Sequence, residues 1–467
     1  MYGQLTPPSF METGNAKRIA LLAAALSSFL APFMISAVNI AIPTIAARFH
    51  ASAVEVSWFA TAYLLTMSMF LVPFGRIADI HGRKRIFIYG MFVYTSSSLF
   101  AAFSVSASML IAARVVEGIG AAMTVGTGVA ILTSVYPPQE RGRVLGINVA
   151  AVYLGLSFGP FIGGFITDYL GWREVFLLNV PLGALIMALV IWKLKGEWAG
   201  ARGEKFDLAG AAVYSVMLVL IIYGLSLLGE DAAAGAALVA AGALAVVMFA
   251  RREARVKHPV LDISLFRHNT IFAFSNIAAL INYSATFAVT FLLSLYLQYI
   301  KGYGPFAAGL ILVPQPLAMT VLSPFAGRLS DRIPPLYVAS AGMALTTISL
   351  FSFIFLREGT ALALIVADLV LLGVGFALFS SPNTNAIMSA VGKRFYGVAA
   401  GTVGTMRTIG QSVSMGVALS IFAVILGNRQ IAVVTYPLLL KSVRISFIVF
   451  SAACFAGIFA SLARGKE

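Results

Sequence analysis

The chain has 467 residues, of which 60% are hydrophobic and 11% are charged. A soluble protein carries about 25% charged residues, so this composition excludes a soluble globular fold and indicates a protein embedded in lipid. The formal net charge of +14 does not predict nucleic-acid binding, because Lys and Arg are scattered through short polar segments and form no continuous basic face.

Apolar segments follow one another along the chain, and each approaches the roughly 20 residues that a membrane-spanning helix requires. Six lie at about 19–47, 57–78, 86–104, 109–134, 143–169 and 174–194. A pair follows at about 208–228 and 232–250, and six more at about 271–299, 306–329, 335–356, 361–389, 397–426 and 444–463. The sequence therefore predicts an all-α membrane protein with fourteen transmembrane helices.

The central pair of apolar segments separates two groups of six predicted helices. We expect a cytoplasmic N-terminal segment (1–18), a six-helix bundle (19–195), a linker with two extra helices (196–257), a second six-helix bundle (258–463) and a cytoplasmic tail (464–467). With the N-terminus inside, the cytoplasmic turns hold about 23 of the 32 Lys and Arg residues, as the positive-inside rule requires. Both termini are thus predicted to be cytoplasmic. The extra pair, which is rich in Ala, Gly, Leu and Val, is predicted to serve packing or to face lipid.

Two turns between predicted helices share one residue pattern and lie at corresponding positions in the two halves of the chain. Gly75–Asp79 and Gly327–Asp331 share the pattern Gly-Arg-aliphatic-small-Asp, 252 residues apart. A second pair of similar segments, Gly142–Gly146 and Gly397–Gly401, is 255 residues apart. A repeated plan of this kind indicates two equivalent halves, which membrane transporters arrange around a central substrate site.

Five segments resemble motifs of the major facilitator superfamily, and they extend over nearly the whole chain. They are Gly75–Arg85, Leu110–Ala122, Gly155–Gly164, Pro259–Arg267 and Arg407–Gln411. The third is similar to the fifth-helix motif of exporters, and the last two resemble the fourteen-helix drug:proton antiporter subfamily. The resemblance implies two pseudo-symmetric six-helix bundles and efflux of drugs in exchange for protons.

The turn residues are candidates for gates between the halves. Asp79, Arg83 and Asp331 are predicted to form a cytoplasmic latch, since an aspartate can cap a helix N-terminus or pair with an arginine. On the fifth helix, small residues recur every four positions next to a proline that bends the helix. This stripe is predicted to form an outer gate between the halves, alone or together with ordinary close packing; its members are Gly155, Gly159, Pro160 and Gly163.

Four ionisable residues fall inside predicted spans, where a charge is costly unless it is paired or faces a cavity. Arg114 and Glu117 are three residues apart on one helix face, within pairing distance. Glu117 is the first candidate for the proton carrier, and a static ion pair is the alternative. Asp368 is the second candidate, with a pairing role as its alternative, and Arg407 is grouped with it.

Substrate is predicted to contact aromatic and amide side chains between the halves, with apolar walls that admit varied amphipathic molecules. Two departures from the family pattern bear on its charge: Met34 replaces a first-helix acid, and Glu117 replaces a glutamine. The predicted contacts are Met34, Asn39, Trp58, Tyr63, Tyr153, Asn282, Tyr283, Phe287, Gln315 and Asn383.

The sequence thus predicts a monomeric plasma-membrane antiporter that exports amphipathic or lipophilic drugs and toxic compounds, which we expect to be cationic, by alternating access. No ATP-binding loop, metal cluster or catalytic constellation occurs, so no cofactor and no enzymatic activity are expected, and the proton gradient would supply the energy. Three alternatives stay open: export of an organic anion, lipid or metabolite, a uniport mechanism, and a sensor that transports nothing. An unpaired acid would favour cations, and an unpaired Arg407 would favour anions.

Overall fold

The computed structural model describes residues 14–51, 53–227, 231–303, 305–426 and 436–465, and no strand occurs among them. The first half consists of six helices: α1 Gly14–Phe49, α2 Ala53–His81, α3 Arg83–Ala102, α4 Ala107–Val135, α5 Pro138–Tyr169 and α6 Trp172–Lys193. Two further helices follow, α7 Leu208–Leu227 and α8 Ala232–Glu253. Each begins within a few residues of its predicted start.

The second half contains shorter and more interrupted helices. They are α9 Ser264–Arg267, α10 Thr270–Thr286, α11 Val289–Leu295, α12 Pro305–Leu312, α13 Pro314–Ser330, α14 Pro335–Ser352, α15 Leu362–Ser389, α16 Tyr396–Leu426 and α17 Tyr436–Leu462. A π-helical turn at Tyr296–Ile300 continues α11. A proline at the first position of α13 ends the preceding helix, because its ring cannot extend an α-helical hydrogen-bond ladder. The segments α10 with α11 and α12 with α13 each make one membrane crossing.

Among the described residues, twelve helices are long and apolar enough to cross a membrane. These twelve correspond to twelve of the fourteen predicted spans, and the predicted total of fourteen is not confirmed. The remaining two, α3 and α16, are 20 and 31 residues long and pack among the others. The helix α3 starts with three consecutive basic residues, which lowers its apolar character.

Each half has its own apolar core. In the first half α1 packs on α5, and α4 packs on α2 and α3; in the second, α15 packs on α13 and α14, and α10 packs on α16 and α17. The halves meet where α2 lies along α16 and where α5 lies along α13. Two glycines with positive φ start helices after tight turns, Gly82 (φ 116°) before α3 and Gly171 (φ 101°) before α6.

The helix α7 packs against α2 and α16 and so bridges the two halves, while α8 covers its outer side. Tyr214 of α7 hydrogen-bonds the hydroxyl of Thr405 at 2.8 Å, and Ser215 donates to the carbonyl of Met69 at 3.2 Å. One member of the extra pair thus contacts both halves directly.

Candidate functional site

The carboxylate of Asp79 joins the two halves at the end of the bundle where α2 ends and α16 begins, which we call the latch end. It accepts hydrogen bonds from the backbone N–H groups of Gly397 and Val398, at 2.9–3.1 Å, in the first turn of α16. A carboxylate at this position satisfies N–H groups that have no partner within the helix and opposes the helix dipole. Arg83 pairs with Asp79 at 2.6 Å and donates to the carbonyl of Lys393 at 2.5 Å.

Asp331 makes the corresponding contact from the second half. Its carboxylate accepts from the N–H groups of Gly142 and Arg143, at 2.8 and 3.0 Å, near the start of α5. Burial raises the pKa of Asp331, and these two hydrogen bonds oppose that shift. The three predicted latch residues therefore lie in two pseudo-symmetric contacts between the halves, and the repeated sequence segments pair crosswise.

Glycines make these contacts possible. A Cβ atom on Gly397 would overlap the backbone of Gly75, and one on Gly327 would overlap the backbone of Gly142. Gly401 lies against α2 in the same way, since a Cβ atom there would overlap the backbone of Leu71.

The linker between α6 and α7 crosses the latch end and binds both halves. Glu204 pairs with Arg76 of α2 at 2.5 Å and with Arg394 of the second half at 2.6 Å. Burial opposes its ionisation, but the hydrogen bonds and charges of Arg394 and Arg76 outweigh that effect and lower the pKa of Glu204. The sequence analysis missed this residue, since a lone acid in a polar linker carries no distinctive pattern.

A second linker acid holds the latch end of α3. The side chain of Glu197 accepts from the backbone N–H groups of Lys84 and Arg85 at 2.8 and 3.2 Å. The linker backbone also contributes, because Ala201 donates to the carbonyl of Asp79 at 2.8 Å. The linker is therefore part of the latch in both its side chains and its main chain.

Glu117 lies in a closed polar network inside the first half. It pairs with Arg114 at 2.6 Å, and both side chains are almost fully buried. Ser98 donates to the other carboxylate oxygen at 2.7 Å and accepts from the amide of Asn179 at 2.5 Å. The guanidinium of Arg114 also lies 4.3 Å from the ring centre of Tyr63, in cation–π geometry. The predicted pairing of Arg114 with Glu117 is thus present.

Tyr153 and Tyr283 meet at the boundary between the halves. Both phenol groups lie within 3.4 Å of the Ser380 hydroxyl, and both rings pack edge-on against Phe376 at 5.5 Å. Tyr153 belongs to α5 of the first half, and the other three residues belong to the second half. Phe376 and Ser380 were not predicted, because an apolar run around them gives no signal of which face is turned inward.

Arg407 is partly exposed and lies about 16 Å from the start of α16. It is within electrostatic range of the Tyr63 and Tyr153 hydroxyl groups. Within the described part of the chain, no ion pair or hydrogen bond to its guanidinium is found. A charge near the middle of a membrane span normally has a partner, so Arg407 is a candidate to bind a ligand group of opposite charge.

Asp368 faces the neighbouring helix α14. Ser352 donates to its carboxylate at 2.5 Å, and Ser349 donates to its backbone carbonyl at 2.9 Å. No ion pair joins Asp368 to Arg407 among the described residues. The structure therefore does not bring these two predicted coupling residues together.

The other predicted substrate contacts fall into three groups. Asn282 is fully buried with neither amide atom paired in the described structure, and Asn383 donates to the carbonyl of Ser275 at 3.2 Å. Trp58 packs against Tyr223 of α7 at 5.8 Å, beside the extra helix. For the remaining four, the structure shows only their burial: Met34 and Gln315 are buried, and Asn39 and Phe287 are exposed.

The glycine stripe of α5 forms a close helix contact, but within one half. Cβ atoms on Gly155, Gly159 and Gly163 would overlap Phe29, Ser36 and Ala37 of α1. These contacts agree with the close packing that the sequence analysis left open beside a gate, and an outer-gate role of the stripe stays a prediction; small residues reveal close packing but not the partner helix. Pro160 lies in the same helix.

No group of three or more His, Cys, Asp or Glu residues suitable for a metal ion occurs in the described ranges. The arrangement instead offers an ion pair inside one half, an arginine near the boundary without an ion pair among the described residues, and a set of contacts that closes one end.

Comparison with known proteins gives one consistent family. Residues 24–415 match the family model described as Major Facilitator Superfamily. The riboflavin transporter RibZ of Clostridioides difficile (strain 630) is 30% identical over 446 residues, which cover 95% of this chain and 96% of that protein. The multidrug resistance protein Stp of Mycobacterium tuberculosis (strain CDC 1551 / Oshkosh) is 29% identical over 409 residues, or 87% and 76% of the two chains.

A solved structure shows the same fold. The human organic anion transporter MFSD10 superposes with a TM-score of 0.68 at 14% identity, covering 98% of this chain and all of that one. Together with the family match over most of the chain, these findings establish that the protein belongs to the major facilitator superfamily.

Proposed function

We propose that this protein exports amphipathic organic compounds in exchange for protons, by alternate opening of its two halves. The observation that carries the proposal is the arrangement of intramembrane charges: Glu117 is buried in an ion pair, and Arg407, near the boundary, has no ion pair with any described residue. Relatives that include a multidrug resistance protein and a riboflavin transporter support transport of organic molecules. The fourteen-helix drug:proton antiporter subfamily remains the assignment that the sequence motifs favour.

In this mechanism Glu117 carries the proton. As a carboxylate it attracts Arg114 at 2.6 Å, and protonation removes most of that attraction. Arg114 also donates to the carbonyl of Phe59 at 3.1 Å and stacks on Tyr63, both in α2, the helix that ends in the latch. Protonation of Glu117 therefore alters the contact of α4 with a gating helix, which couples proton binding to rocking of the halves.

The charge distribution favours substrates with an anionic or electron-rich group. Glu117 already has a cationic partner, whereas Arg407 has none among the described residues. Tyr153, Tyr283 and Phe376 add aromatic surface near the same boundary. Of the alternatives left by the sequence, we therefore propose organic-anion efflux ahead of cation efflux.

We further propose that the protein acts as a monomer in the plasma membrane, with the latch end and both termini in the cytoplasm. The positive-inside distribution of Lys and Arg supports this orientation. In that orientation the latch in the present structure closes the cytoplasmic side.

Proteoliposomes with an imposed pH gradient test the mechanism. Glu117→Gln is expected to abolish pH-driven transport while binding of substrate persists, and Glu358→Gln, which removes an exposed acid, is the matched control. Unchanged pH-driven transport by Glu117→Gln would refute the carrier assignment.

Substrate charge is tested with matched anionic and cationic amphiphiles that share one ring system. Arg407→Gln is expected to weaken binding of the anion about 10-fold or more and to leave the cation unchanged, while Arg407→Lys retains part of the anion affinity. Equal affinities of wild type and Arg407→Gln for the anion would contradict the assignment of charge.

A further inference from the structure

A cavity of about 290 Å³ lies at the latch end, and all of its lining residues belong to the second half. It is lined by Ile271 at the start of α10, by Pro334–Tyr337 at the start of α14, by Ala386 of α15, and by Arg464 and Gly465 beyond α17. The cavity is therefore an open pocket bordered by the ends of four helices of one half.

Arg464 supplies an uncompensated positive charge to this cavity. Its side chain is 1% exposed, and none of its three guanidinium nitrogens has a hydrogen-bond partner among the described residues. Burial without a partner lowers the pKa of Arg464 to about 9. Only its backbone is engaged, since Thr270 donates to its carbonyl at 3.2 Å. A buried guanidinium with five free donors calls for an anionic ligand.

The surrounding helices add to the positive potential. The helix α14 is 18 residues long and begins at Pro335 without a side-chain cap, so the positive end of its dipole points to the cavity. A second helix, α10, begins one residue before Ile271. Among the described residues, no acidic side chain lines the cavity.

We propose that this cavity binds the phosphate group of a phospholipid in the leaflet at the latch end, with Arg464 as its principal ligand. The volume corresponds to about ten water molecules at roughly 30 Å³ each, which exceeds the need of a free phosphate ion and accommodates an attached headgroup. The candidate span of α14 begins at Pro335, so the cavity lies at the level where lipid headgroups lie.

The rim of the cavity suits the rest of a lipid molecule. Tyr337 and Ile333, at the start of α14 and just before it, are 51% and 41% exposed. Such apolar side chains next to a phosphate-binding arginine can contact the glycerol and upper acyl chains. An inorganic phosphate ion has no apolar group that could contact these side chains.

Native mass spectrometry of the purified full chain tests the proposal with phosphatidylglycerol and, separately, inorganic phosphate as probes. We expect one retained lipid on the wild type, an affinity at least 10-fold weaker for Arg464→Gln, and partial affinity for Arg464→Lys. Arg332→Gln removes an exposed arginine close by and is expected to bind lipid as the wild type does. Thermal stability measured with each probe shows which variants remain folded.

Three results would overturn the proposal. Equal lipid retention by wild type and Arg464→Gln would remove Arg464 from the site. Equal stabilisation of the wild type by inorganic phosphate, without lipid retention, would identify a soluble anion as the ligand. If Glu467→Gln lowers the melting temperature as much as Arg464→Gln and the wild type retains no lipid, the chain's own terminal residue neutralises the guanidinium.

Discussion

A methyl group at Gly397 is expected to open the latch end. A Cβ atom there would lie less than 3.0 Å from the carbonyl oxygen of Gly75, closer than Cβ atoms approach other atoms. The obstructing atom belongs to the backbone, so no side chain can rotate away to make room. The α2–α16 contact must therefore separate, and separation lengthens the hydrogen bonds between Asp79 and the start of α16.

The size of the effect follows from packing. An extra methyl group in a close contact costs about 1–3 kcal/mol. If this cost falls only on the closed latch, the ratio of open to closed molecules rises about 5–150-fold. The overall fold is expected to persist, because the methyl group lies between the halves and outside their separate cores.

Cysteine labelling measures this ratio. Ser381 is fully buried at the α5–α13 contact, so a Ser381→Cys thiol reacts with a water-soluble maleimide only when the latch end opens. The native Cys454 is 0% exposed and gives a low background. Gly126→Ala is the matched control, since its nearest neighbour across the interface would be 3.8 Å away. Equal labelling rates for Gly397→Ala and Gly126→Ala would refute the steric argument.

Two further substitutions test other parts of the structure. Glu204→Gln is expected to weaken the closed latch by about 1–3 kcal/mol, visible as faster labelling of the same cysteine. The pKa of Glu204 is lowered in the folded protein, so its stabilisation is complete above the pKa of a free glutamate and is lost as the pH falls through the lower value. Melting temperatures should therefore fall less steeply with acidification in Glu204→Gln than in wild type, and parallel curves would contradict the pairing. Ser98→Ala leaves one oxygen of buried Glu117 without its donor and is expected to cost about 1–3 kcal/mol, whereas an unchanged melting temperature would exclude that role.

The sequence predicted those features that depend on local composition. Runs of apolar residues give the helices and their approximate ends, because a lipid environment admits little else at this length. Arg114 and Glu117 were predicted to pair because a three-residue spacing on one helix fixes their geometry. The latch residues Asp79 and Asp331 were identifiable because an aspartate in a glycine-containing turn can accept from a helix N-terminus.

Features that depend on the relative placement of helices were not predictable in the same way. The stripe of Gly155, Gly159 and Gly163 correctly indicates a close contact, but the partner is chosen by the packing of the whole half. Asp368 could equally have faced a pathway or a neighbouring helix, and only the positions of the Ser349 and Ser352 hydroxyls distinguish these alternatives. The helical period of a sequence shows on which face of its helix a residue lies, but it does not show which neighbouring helix or cavity that face contacts.

The latch is symmetric in its backbone contacts and asymmetric in its reinforcement. Asp79 and Asp331 each accept backbone N–H groups near a helix start in the other half. In the part of the chain that the structure describes, only the Asp79 side also has an arginine pair and the linker, through Arg83 and Glu204. The Asp331 contact therefore requires fewer interactions to be broken.

This asymmetry assigns a mechanical role to the extra helices. The linker that carries Glu204 leads directly into α7, which hydrogen-bonds α2 through Ser215 and α16 through Tyr214. Separation of α2 from α16 must break or displace one of these contacts together with the Glu204 pairs. The α7–α8 pair and its linker thus stabilise the closed latch on one side, and opening of the two sides is expected to proceed from the Asp331 contact to the Asp79 contact.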